Sequence, residues 1–103
     1  MNVVRREKAL EDLADCAFYI ADDDPAVADR FVDAFELSVE RLAQMPYLGV
    51  AHSNDNPALF GLRRWPIKGF EKYLIFYLVL EDVIDIVRIL HVAQDIAAIL
   101  EGE

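Results

Sequence analysis

Residues 72 to 80 and 83 to 91 are two runs rich in Ile, Val, Tyr and Phe, parted only by the polar pair Glu81-Asp82. Short runs of this composition, bounded by polar residues, form strands, and so short a break joins them as an antiparallel hairpin. Neither run alternates cleanly between polar and apolar, so both faces of the hairpin are expected to lie against something. The chain's own helices can cover one face, which leaves the other as a candidate surface for a partner. Asp85, Arg88 and His91 are the polar side chains that stand out within this apolar block.

The preceding sequence supplies the cover. From Glu7, Leu10, Leu13, Ala14, Ala17, Phe18 and Ala21 recur at helical spacing, and this first helix runs into Asp22-Asp23-Asp24. Asp24 before Pro25 suits an N-cap followed by proline in the first turn. Ala28, Phe31, Val32, Phe35, Val39 and Leu42 then mark a second amphipathic helix, and so short a link makes the two an antiparallel hairpin. Glu36 stands four residues before Glu40, an unhelpful pair, so packing rather than surface ion pairs is expected to hold the second helix.

Pro46 and Gly49 end that helix, and residues 47 to 58 read as a loop. Leu59 to Trp65 reads as a strand stopped by Pro66, and Lys68-Gly69 as a turn into the central hairpin. Asn2 to Val4 is a candidate edge strand, and Gln94 to Leu100 a short final helix or turn. The expected architecture for residues 1–103 is one α+β domain: an N-terminal short strand, a helical hairpin packed on a small antiparallel sheet, and a short C-terminal helix.

With a hairpin loop of two or four residues, Val79 faces Ile84 and Ile75 faces Arg88. Alternation then places Tyr73, Ile75, Tyr77, Ile86, Arg88 and Leu90 on one face, and Lys72, Leu74, Phe76, Leu78, Asp85, Val87, Ile89 and His91 on the other. A three-residue loop would shift this register.

Charge and cysteine content bound the function. The net charge is −9, with five basic and twelve acidic side chains in residues 1 to 55. Residues 56 to 80 instead carry Arg63, Arg64, Lys68 and Lys72 against Glu71. A globally acidic chain disfavours non-specific nucleic-acid binding, and direct DNA binding by this chain is not expected. The lone Cys16 supports no intramolecular disulfide and points to the cytoplasm; its place beside the first helix's apolar stripe reads as a small core residue. No apolar run approaches the roughly 20 residues of a membrane span, and the N-terminus lacks the apolar core of a secretory signal. His52 with Asp55 is too sparse for a metal site, and no phosphate-loop, Rossmann or nucleophile-elbow glycine pattern occurs, so neither metal nor cofactor is expected.

Arg63, Arg64, Trp65, Lys68 and Lys72 combine cations with an aromatic ring, the composition that tracks a phosphate backbone, although lysines on an edge also deter aggregation. Arg88 reads either as a guanidinium displayed on the sheet to bind phosphate or carboxylate, or as a structural arginine paired with an acid or carbonyl. His91 reads as a general acid or base, or as a strand-end histidine donating a hydrogen bond to a nearby loop, with Asp95 as its partner or as an N-cap.

Ala9-Leu10-Glu11-Asp12-Leu13, Tyr19-Ile20, Pro25 with Ala28 and Phe31, Leu42 with Pro46 and Gly49, Gly61-Leu62-Arg63, Tyr73-Leu74-Ile75-Phe76-Tyr77, and Ile86 to His91 with Asp95 together resemble the RelE/ParE toxin superfamily. The resemblance runs nearly the full chain in order. It implies a toxin of a bacterial toxin–antitoxin pair, a plasmid-stabilisation type of module, restrained in a hetero-oligomer by a cognate antitoxin whose C-terminal segment wraps it. The ParE branch, similar in its Tyr-Leu-Ile-Phe-Tyr strand, poisons DNA gyrase by binding, without a catalytic centre. The RelE branch cleaves messenger RNA on the ribosome, and that reading uses Arg63, Lys68, Arg88 and His91. Residues 92 to 103 hold no Tyr, Lys or Arg, and Leu78 and Gln94 stand where many relatives carry a cation; these departures favour the ParE-like reading. They leave a weakly toxic antitoxin-binding module as a third alternative. On the ParE-like reading the residues for target or antitoxin contact are Arg63, Arg64, Trp65, Lys68, Lys72, Tyr77 and Arg88.

Overall fold

Asp24 and Pro25 decide where the first half of the chain bends. In the computed structural model, which describes residues 1–103, α1 (Glu7–Asp23) and α2 (Pro25–Gln44) are separated by Asp24 alone. Asp24 is extended, and its Oδ1 accepts the Ala26 amide at 3.0 Å, with Pro25 in the first turn. Ala28, Phe31, Phe35, Val39 and Leu42 of α2 are buried, as their spacing predicts.

The first helix turns differently from its expected stripe. Ala9, Leu13, Cys16, Ala17 and Ile20 face the core, whereas Leu10 and Phe18 face solvent. Apolar residues surround most of this helix, so periodicity alone does not select a face; simultaneous packing against α2 and the sheet does. Glu36 also departs from expectation. It pairs with both terminal nitrogens of Arg5 at 2.6 and 2.8 Å, a bidentate ion pair that ties the first strand to α2.

The sheet has five strands: β1 (Asn2–Arg5), β2 (Val50–Ala51), β3 (Arg63–Ile67), β4 (Phe70–Leu80) and β5 (Val83–His91), in the order β1-β5-β4-β3-β2. All pairings are antiparallel except β1 with β5, which is parallel and makes the sheet mixed. A short 3-10 turn, Pro57–Leu59, precedes β3, and α3 (Ile96–Glu101) ends the chain. The expected strand from Leu59 therefore begins later, at Arg63, and runs through Pro66 rather than stopping there. Proline is accommodated because β2 pairs only with Arg63 and Arg64, so Pro66 lies on an open edge where no amide is required.

Both faces of the central hairpin are covered, but the second is covered largely from within. Ile67, Ile75, Tyr77, Ile84, Ile86 and Ile89 pack under α1 and α2. Phe76, Leu78, Val87 and Leu90 pack on the other side against Leu59, Leu62 and Leu100. Asn56 joins that second layer: its Nδ2 donates to the carbonyls of Leu100 and Glu103, both at 2.8 Å, while its Oδ1 caps the 3-10 turn. The hairpin face expected to await a partner is in large part occupied by the chain's own loop and C-terminal helix.

The hairpin loop is two residues long. Leu80 pairs with Val83, and Val79 faces Ile84 as expected. Farther along, Phe76 rather than Ile75 pairs with Arg88, because Val87 is an extra residue between the Tyr77–Ile86 and Phe76–Arg88 pairs. This bulge exchanges the faces of every later residue of β5. Arg88 and Leu90 move to the side of Phe76, while Ile89 and His91 move to the helix side. The bulge follows Ile86, where β1 ends its pairing at Arg5.

Candidate functional site

The basic stretch that is continuous in sequence is divided in space. On β3, Arg63 and Trp65 pair with Tyr77 and Ile75 and face α2, whereas Arg64 pairs with Phe76 and faces away. Lys72 alternates with Leu74 and Phe76 and also lies on the far side; Lys68 sits in the β3–β4 turn. Strand alternation thus sends neighbouring cations to opposite faces, and no single basic track forms.

Two of these arginines are held internally. The Arg63 Nη1 donates to the Gly49 carbonyl at 2.5 Å, and its guanidinium stacks over the Tyr47 ring, 4.9 Å from its centroid. The Arg64 Nη1 donates to His52 Nδ1 at 3.0 Å. Burial first, and the Arg64 charge second, lower the His52 pKa. Lys68 and Trp65 do come together, lining a groove of about 560 Å³ with Leu37 and Arg41 of α2.

Tyr77 offers no surface to a target. It is fully buried, its hydroxyl donating to the Pro46 carbonyl at 2.7 Å and accepting the Gly49 amide at 2.9 Å. It pins the loop after α2 to the sheet. Its expected role in target or antitoxin contact is therefore corrected to a structural one: a residue with no accessible area touches no partner.

Arg88 is clamped by carboxylates from two elements. Its Nε and Nη2 donate to Asp12 of α1 at 2.7 and 2.9 Å, and its Nη1 donates to Glu103 at 2.6 Å. Only 15% of its side chain is exposed, with 12% for Asp12 and 6% for Glu103. The hydrogen bond to Asp12 raises its pKa further, against the opposing effect of burial. Sequence reading left open whether Arg88 is displayed or paired; the structure pairs it. Its partners, Asp12 inside the Ala9–Leu13 motif of the resemblance and Glu103 in no motif at all, are pairings that the linear sequence concealed.

His91 accepts rather than donates: its Nδ1 takes the Ala93 amide at 2.9 Å, and its ring meets Tyr73 edge-on at 4.8 Å. Asp95 serves as the N-cap of α3, accepting from the Ala98 amide at 3.2 Å. Of the four residues assigned to an RNA-cleaving reading, Arg63 and Arg88 lie on opposite faces of the sheet, paired with adjacent β4 residues Tyr77 and Phe76. Exposed apolar side chains are a second feature that periodicity hid, with Phe60 at 92%, Tyr19 at 77% and Phe18 at 75% exposure.

A helical hairpin on a five-stranded sheet with this connectivity defines a fold class seen in solved structures. Ten chains match, among them one from the chromosomal ParDE TA system from P. aeruginosa, with a TM-score of 0.69 and 23% sequence identity over 88% of this chain and 95% of that one. The fold is thus a ParE-like α+β fold. Residues 3–96 match the family described as the ParE toxin of type II toxin-antitoxin system, parDE, and the chain belongs to that family. No curated protein matches it. No helix is long and apolar enough to cross a membrane.

Proposed function

We propose that this chain is the poison half of a two-protein pair, that it inhibits DNA gyrase by binding, and that a cognate antitoxin neutralises it in a hetero-complex. The observation that carries the choice of binding over RNA cleavage is the state of Arg88. A cation that stabilises charge on a reacting phosphate must have donors free to meet it. All three nitrogens of the Arg88 guanidinium instead donate to Asp12 and Glu103, on a side chain only 15% exposed. Arg63 faces the other side of the sheet, which supports the same reading. The net charge of −9 also opposes approach to ribosomal RNA.

On this reading the target-facing surface is the groove where Trp65 and Lys68 meet Leu37 and Arg41, an aromatic and aliphatic floor with mixed charge at its rim. The parDE pairing in the family's description supports a cognate antitoxin, and the exposed rings of Phe18, Tyr19 and Phe60 are suited to being covered by one.

The test is expression of the chain alone in bacteria, followed by gyrase supercoiling and ribosome-programmed message cleavage with purified protein. Gyrase inhibition with intact message is expected, abolished by the product of an adjoining small reading frame. Message cleavage that is lost on Arg88→Ala, with gyrase unaffected, overturns the proposal in favour of an endoribonuclease.

A further inference from the structure

Helix α1 leaves one side bare. Its core side is Ala9, Leu13, Cys16, Ala17 and Ile20, while Phe18 and Tyr19 are 75% and 77% exposed. Asp15 lies three residues before Phe18 and four before Tyr19, and Asp22 lies four and three after, so each carboxylate neighbours both rings on the helix surface. Neither carboxylate takes part in any of the ion pairs of the fold, which join Arg5 to Glu36, Arg6 to Asp85, Arg88 to Asp12 and Glu103, and Lys8 to Glu103.

Asp15 and Tyr19 also form one wall of a cleft of about 380 Å³, with Tyr73 and His91 opposite and Cys16 between them. No Lys or Arg lines this cleft. His91 already accepts the Ala93 amide through Nδ1, and its ring is braced against Tyr73. Burial, reinforced by Asp12 and Asp15, pushes the Cys16 thiol up to about 11, so the thiol stays neutral at physiological pH. The cleft therefore has two phenol rings, a neutral thiol and one unpaired carboxylate.

We propose that this cleft receives an arginine or lysine side chain from a protein partner, whose apolar surface lies along Phe18. The aliphatic stem would lie against Tyr19 and Tyr73, and the cationic head would reach Asp15. Charge selects this occupant. A second copy related by a two-fold axis through this face would set Asp15 and Asp22 against their own equivalents on a chain of net charge −9, and nucleic acid or an anionic membrane would meet the same repulsion. The inference rests on the antitoxin reading above and deepens it: the antitoxin is the partner, and its docking segment is basic where it meets α1.

The experiment measures binding of the adjoining frame's antitoxin to the full chain and to Asp15→Asn, Tyr19→Ala and the control Asp33→Asn on the exposed side of α2. Because Asp15 and Tyr19 are exposed, the variants should keep the unfolding midpoint of the parent. Asp15→Asn and Tyr19→Ala are each expected to weaken binding roughly tenfold, with a reduced salt dependence for Asp15→Asn and no change in the control. Unchanged antitoxin affinity in both variants overturns the inference while leaving the antitoxin reading intact. Self-association of the chain that Tyr19→Ala abolishes, with antitoxin binding unaffected, also overturns it and assigns the face to a second copy. Failure of the unaltered chain to bind the antitoxin removes the antitoxin reading and this inference with it.

Discussion

Asp12 of α1 holds Arg88 of β5 through two hydrogen bonds and at the same time accepts the Ile89 amide at 3.0 Å. The second contact explains the first. Strand β1 stops pairing at Ile86, so the next stretch of β5 has an open edge, and the carboxylate of Asp12 takes the place of a strand there. The bulge at Val87 swings Arg88 around that edge, where it meets Asp12 and Glu103 together.

Removing Asp12 leaves a half-buried guanidinium and a strand amide short of acceptors. Asp12→Ala is expected to destabilise the fold by about 3–5 kcal/mol, and Asp12→Ala with Arg88→Met together by less than the sum of the two single losses. Denaturant unfolding of the two single variants and the double variant checks this as a cycle. Additive losses would show that the pair does not act as a unit.

Gly49 is required by closeness rather than by backbone angle. A methyl group there would overlap the Tyr77 hydroxyl and come within 2.7 Å of the Arg64 carbonyl oxygen. Gly49→Ala is expected to cost about 1–3 kcal/mol by overpacking. Tyr77→Phe, which leaves the buried Gly49 amide without its acceptor, should cost a similar 1–3 kcal/mol. Urea midpoints measure both, and a neutral Tyr77→Phe would mean that the loop moves to find another partner.

His52 makes stability depend on pH. Its folded pKa is lowered below 6.5, chiefly by burial, so the unfolded chain binds the proton more readily. This contribution is complete above the unfolded value and is lost as pH falls through 6.5 toward the folded pKa. Protonation would also remove the Nδ1 acceptor that holds Arg64. Between pH 7.5 and 5.5 the parent should lose more stability than His52→Gln; equal losses measured by denaturation would show that other groups govern the decline.

Glu81, first in the two-residue hairpin loop, has φ of 40°, a left-handed conformation that favours glycine. Glu81→Gly is expected to raise stability by up to about 1 kcal/mol and to leave the strand register unchanged. Thermal unfolding reads the shift, and a lower midpoint would mean that the Glu81 side chain contributes more than its backbone strain removes.

Features governed by neighbours in sequence could be read without the structure. The break at Asp24-Pro25, the apolar stripe of α2, the Glu81-Asp82 hairpin and the Lys68-Gly69 turn all rest on local backbone preference and short periods. The resemblance that gave the family likewise rests on ordered short motifs, and residues 3–96 match it. The site was less legible. Arg63, Arg64 and Lys72 are close in sequence but part across the sheet, and Tyr77 lies in the most recognisable strand yet is fully buried.

The sequence by itself determined the helical hairpin, the strand hairpin and their order, because each depends on bonds and side chains within a few residues. Only the tertiary structure decided which side of α1 is buried, how β3 passes through Pro66, and which way Arg88 points. Those outcomes depend on where one strand ends beside another: β1 stops at Arg5, β5 bulges at Val87, and Asp12, 76 residues away from Arg88 in the chain, meets the exposed edge.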